Sequence, residues 1–116
     1  MSSPIIIDQV FKSQTIALSQ SATHDFELVS GNYEGFFSFQ LQIVSGAGVL
    51  TFDFLESNDG TNFVDAGAGS DVATGVTGAG HYLYSFDPKL CAKLRLRLTE
   101  TGGAAGVVVN GWLAVQ

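Results

Sequence analysis

Lys93-Leu94-Arg95-Leu96-Arg97-Leu98-Thr99 decides the fold class of this chain. Every second residue is leucine and those between are cationic or polar, a period of two that gives an extended strand one apolar and one wet face. A helix would scatter the same leucines around its circumference. The alternation recurs in Phe37, Phe39, Leu41 and Ile43, with Ser38, Gln40 and Gln42 between them, and in Leu50, Phe52 and Phe54, with Thr51 and Asp53 between them. Later, Val107, Val109, Leu113 and Val115 share a parity with Gly111 in their midst. A glycine inside a strand marks a bulge or the close approach of other groups.

Weaker strands are expected at Ile5 to Phe11, Thr15 to Leu18, Asp25 to Val29 and His81 to Phe86. Turn-forming clusters separate them: Ser45-Gly46-Ala47-Gly48, Asn58-Asp59-Gly60 and the Gly/Ala run 102–106. The stretch from Ala66 to Gly80 reads as a long loop with room for a short edge strand at Asp71 to Ala73. No window shows helical periodicity. The pattern predicts an all-β, antiparallel β-sandwich of jelly-roll type with about eight or nine strands. Residues 13–116 form a single domain on this reading, and residues 1–12 are either an N-terminal arm or the first strand. Ile5, Ile6 and Ile7 form a continuous apolar run that wants cover on both faces, from its own sandwich or from a neighbouring subunit.

A length of 116 residues suits one domain, and nine Phe with 46% hydrophobic residues supply a core. Charged residues make up only 14%, against about 25% in an average soluble domain. The net charge of −6 argues against nucleic acid as a partner, since phosphate contacts need a dense field of Lys and Arg. The charge is also uneven. Before Pro88, Lys12 stands alone against ten carboxylates, whereas after it Lys89, Lys93, Arg95 and Arg97 face only Glu100. Such a basic strand is either a solvated face or a subunit contact, with Lys93, Arg95 and Arg97 meeting carboxylates of a neighbour. The single cysteine, Cys91, excludes an internal disulfide and reads as a structural thiol. The opening residues lack a basic segment before the isoleucines, and no stretch approaches about 20 apolar residues. The expectation is therefore synthesis in the cytoplasm and no membrane partner.

Glu56-Ser57-Asn58-Asp59-Gly60-Thr61-Asn62-Phe63 is the sharpest local motif. Asp-Gly between strand-like segments signals a tight turn, because glycine supplies positive φ freely. The alternative is calcium, with oxygens from Asp53, Glu56, Asn58, Asp59, Asn62 and Asp65, although their spacing lacks the EF-hand pattern. The turn is the simpler reading, and no cofactor is expected. Catalysis is not expected either. His24 and Asp25 point to opposite faces of a strand, no Gly-x-Ser-x-Gly is present, and the glycine clusters lack a P-loop lysine. Tyr33, Tyr82, Tyr84 and Trp112 are candidates for stacking on a glycan. Tyr82, Tyr84 and Phe86, however, share a parity that suits a core. Trp112 lies on the parity opposite Val109 and Leu113, as an interface anchor or a sugar platform would.

Taken in order, Ser57-Asn58-Asp59-Gly60-Thr61-Asn62-Phe63, then Phe86-Asp87-Pro88, then Ala92-Lys93-Leu94-Arg95-Leu96-Arg97-Leu98 resemble a layout found in small virion proteins of tailed bacteriophages. Those include capsid decoration (cement) proteins and β-sandwich modules of tails and fibres. A related layout occurs in discoidin-type, galactose-binding-like jelly rolls, but the terminal cysteines that often staple that family are missing here. The resemblance spans roughly Phe36 to Val115 and implies a non-enzymatic protein of the virion. It further implies a homo-oligomer that binds another virion protein such as the major capsid protein.

Overall fold

The computed structural model describes residues 5–28, 33–64, 71–86 and 91–116. Eight strands form in chain order: β1 (Ile6–Ile16), β2 (Ser21–Glu27), β3 (Phe37–Ser45), β4 (Leu50–Ser57), β5 (Asp71–Val76), β6 (Gly80–Phe86), β7 (Lys93–Glu100) and β8 (Val107–Val115). They make two four-stranded antiparallel sheets, ordered β1-β8-β3-β6 and β2-β7-β4-β5. The pairs β1 with β8, β2 with β7, β3 with β6 and β4 with β5 are the rungs of one long hairpin folded between β4 and β5. Rolling that hairpin brings β3 against β8 and β4 against β7. The product is a sandwich of jelly-roll order.

The alternating sequences sort as the parity requires. Phe37, Phe39, Leu41 and Ile43 of β3 meet Leu50, Phe52 and Phe54 of β4, Leu94, Leu96 and Leu98 of β7, and Val107 and Val109 of β8 in one core. Phenylalanines set its centre: Phe39 and Phe52 face each other across the sheets at 4.8 Å, and Phe37 stacks on Phe86 at 4.2 Å. Gly111 is there because nothing larger fits, since a Cβ on it would stand 2.7 Å from the Phe39 ring and 2.9 Å from Phe11.

Three strand expectations are corrected. Ile5 to Phe11 and Thr15 to Leu18 are one strand, β1, carried past residues 12 and 13 by irregularities between Gln9 and Gln14, with Ser13 at φ 46°. The second strand begins at Ser21 rather than Asp25, and its inward residues, Ala22, His24 and Phe26, are too mixed to signal it. The short edge strand extends to Val76.

One buried carboxylate ties one end of the sandwich together. Both Glu100 oxygens are fully occupied: Oε2 accepts from the backbone N–H of Val49 and Gly102, and Oε1 from those of Ser19 and Gly103. These donors belong to the β1–β2, β3–β4 and β7–β8 connections. They hold the carboxyl down to about pKa 2, with the Val49 and Gly103 bonds leading.

Candidate functional sites on the two outer faces

The outward residues of β2-β7-β4 fall into rungs: Glu27, Lys93 and Ser57, then Asp25, Arg95 and Leu55, then Thr23, Arg97 and Asp53. Each cation pairs along its rung. Lys93 Nζ lies 3.3 Å from Glu27, and Arg95 grips Asp25 through two bonds of 2.7 and 2.9 Å. Arg97 forms the same two-pronged pair with Asp53, whose side chain is only 6% exposed. Arg95 holds the Asp25 carboxyl below its ordinary range, chiefly through the hydrogen bonds. On its far side the Arg95 guanidinium lies 3.9 Å from the centre of the Phe63 ring. Arg95 and Arg97, expected to meet a neighbour's carboxylates, thus each already hold one within this chain. Their partners are in the same chain, because β2 and β4 flank β7 and present acids in register.

The Asp59 turn is likewise closed on itself. Its Oδ1 accepts from Ser57 Oγ and from the N–H groups of Thr61 and Asn62, and its Oδ2 from Asn62 Nδ2. Those donors lower the Asp59 pKa, led by the Asn62 backbone. Asn58 Oδ1 receives the Ala92 N–H, and Glu56 pairs through its backbone with Val64. A shallow depression of about 490 Å³ lies between this turn and Cys91. Donors rather than free oxygens surround the Asp59 carboxylate, while Asp53 stands on the sheet face with Arg97. Asp65 lies outside the described residues. Among the described residues no three of His, Cys, Asp and Glu gather to hold a metal ion.

The other sheet presents different chemistry. Its outward rungs read Ile7, Ala114, Ser38 and Ser85, then Gln9, Trp112, Gln40 and Leu83, then Asn110, Gln42 and His81. None of these side chains is ionised as Asp, Glu, Lys or Arg. Trp112 sits in the middle, with the His81 ring tilted beside it at 6.3 Å. The amides bond one another: Asn110 Nδ2 donates to Gln42 at 3.1 Å, and Gln40 Nε2 lies 3.1 Å from His81 Nδ1. Asn110 Oδ1 also caps the Ser13 N–H at the bulge, at 2.7 Å. Leu83 and Ile7 are each 66% exposed. At one end of the face, Ile5, Phe36, Phe37 and Phe86 line an apolar depression of about 210 Å³.

Of the four aromatic candidates, the structure leaves Trp112 alone on an outer face. Tyr33, Tyr82 and Tyr84 pack against the core, and the Tyr82 hydroxyl donates to the carbonyls of Thr77 and Gly78. Ile6 and Ile7 lie on β1, an edge strand, paired with Val115 and Ala114. The uncharged face as a whole was hidden from sequence reading. Ser38, Gln40 and Gln42 signal a polar amide side, but their union with Trp112 and His81 follows from strand order.

No protein-family model matches the sequence, and no curated protein matches it. Solved structures do match. The VP2 subviral particle of infectious bursal disease virus superposes with a TM-score of 0.59 at 14% identity, over 97% of this chain and 32% of that one. T=1 particles derived from the same virus give 0.54 at 14% identity, over 97% and 31%. The likeness is one of fold. This chain spans about a third of the length of the VP2 chains it matches. A CBM36-1 domain of a multidomain xylanase from the hindgut metagenome of Trinervitermes trinervoides gives 0.50 at 12% identity, over 96% of both chains. The chain is thus structurally similar to viral capsid jelly-roll domains and to a carbohydrate-binding module.

Proposed function

We propose that this chain is a non-enzymatic structural protein of a bacteriophage particle. Its role is that of a capsid decoration (cement) protein, made in the host cytoplasm and resident in the virion. It associates with copies of itself and with another virion protein such as the major capsid protein. The observation that carries this reading is the rolled eight-strand order, which spans 97% of the chain in its likeness to virus-particle subunits. The placement of the histidines supports a non-catalytic role. His24 turns inward onto Phe11, where burial lowers its pKa, and His81 is engaged with Gln40. Proteomics of purified particles should find the chain at a fixed stoichiometry to the shell protein. Particles assembled without it should rupture at lower temperature and recover when it is added back. Absence from purified particles would sink the proposal.

Trp112 supports a second reading, a carbohydrate-binding module of the tail or fibre adhesin type. It is a half-buried ring on the outer face among Gln40, Gln9 and His81, on a domain that matches a carbohydrate-binding module end to end. A saccharide that raises Tm in the native chain but not in Trp112→Ala would favour this reading. No response across a glycan array would remove it.

A further inference from the structure

We infer that the outer face of β1-β8-β3-β6 is the surface on which a second copy of this chain docks, sheet against sheet, with Trp112 and Leu83 as its anchors. The inference deepens the structural-protein reading and rests on it for its biological setting only. Charge is the first argument. A chain of net charge −6 repels its own copies over most of its surface, yet the rungs through Ala114, Trp112 and Asn110 carry no Asp, Glu, Lys or Arg. Two such faces can meet without burying a charge, the costliest step in forming an interface. The opposite sheet offers no such surface, since each of its cations would have to leave an intramolecular carboxylate.

The rim adds a direction. Lys12 lies in the β1 bulge toward the Asn110 end, and Glu34 lies beside Gln116 at the other end. A two-fold axis within the face and across the strands sets the Lys12 end of one copy over the Glu34 end of the other. This isologous arrangement is the one a closed dimer requires.

Area is the second argument. Four strands about 4.8 Å apart and about nine residues long cover roughly 600 Å², near a tenth of the 6165 Å² accessible surface. Two copies would then bury about 1,200 Å², within the range of specific interfaces. The composition fits too. A central Trp, an exposed Leu and amides able both to donate and to accept make a self-complementary patch.

Sedimentation of the purified full chain across a concentration series tests this. The native chain should form a dimer. Leu83→Glu, an edge-strand change at a 66% exposed site, should raise the dissociation constant at least about 30-fold with an unchanged circular-dichroism spectrum. Trp112→Ala should act likewise, while Thr23→Glu on the opposite sheet should leave association intact. A monomeric native chain, or a dimer indifferent to both face variants, overturns the inference. Saccharide binding at Trp112 in a monomeric chain also overturns it. Particle proteomics fails or succeeds independently: a monomer still found in virions removes the dimer and leaves the structural role, and a dimer absent from virions does the reverse.

Discussion

On the outer face of β2-β7-β4, every rung that holds a cation gives it a carboxylate of the same chain, and Asp53, the partner of Arg97, is also nearly closed off from water. On the outer face of β1-β8-β3 and β6, the same rung positions hold amides, hydroxyls, alanine, isoleucine, leucine, one histidine and one tryptophan. The two sheets share one core and nearly the same inward leucine, valine and phenylalanine pattern, so the difference is confined to what each strand turns outward. Charge placed where neighbouring strands supply its partner belongs to the fold. A face free of charge is open to another molecule. Net charge and charge asymmetry, the most visible features of the sequence, therefore point to the sheet that is already satisfied.

The sharpest way to break this contrast is at Arg97. Arg97→Ala strands the Asp53 carboxylate, 6% exposed, without its guanidinium, and should destabilise the chain by about 3 kcal/mol in urea unfolding. Adding Asp53→Leu should return most of that loss. If the single variant unfolds like the native chain, the charged face does not hold the fold. Acid offers a second, smaller lever on charge alone. Glu100 titrates near 2 in the folded chain and near 4.5 once unfolded, so the folded state gains most above pH 4.5. That gain disappears as pH falls through about 2. Thermal melts should show Tm dropping across this window in the native chain and much less in Glu100→Gln, which begins lower at neutral pH. The smallest effects compare exposed pairs. Arg95→Ala, losing a pair about one-third exposed, should cost less than about 1 kcal/mol, and Gln42→Ala on the uncharged face about 0.5 kcal/mol or less. Equal, large losses at both would erase the distinction between the faces.

Much of the fold was legible because parity is local. Leu94 to Leu98, Phe37 to Ile43 and Leu50 to Phe54 each declare strand and inward face without help from the rest of the chain. The outward turn of Trp112 and the tight seat of Gly111 followed from the same parity. What failed was non-local. β2 offers only Ala22, His24 and Phe26 inward, and β7 beside it in the same sheet supplies the leucines of the core. The bulge in β1 depends on Asn110, 97 residues away, whose side chain holds the Ser13 N–H. Arg95 finds Asp25 across 70 residues of sequence. Register between distant strands is set when the hairpin rolls, and no spacing within β7 records it.

The Glu100 carboxylate has a practical reach beyond stability. Because it binds backbone N–H groups from the connections 17–20, 46–49 and 101–106, each of those loops is fixed in length by its neighbours as well as by its own strands. A peptide spliced into any of them would pull a donor off the shared acceptor and loosen the other two. Glu27, Phe37, Ser57 and Lys93 are the strand ends at the opposite end of the sandwich. Foreign sequence displayed on this scaffold is therefore least tolerated at the Glu100 end, where three loops share one carboxylate.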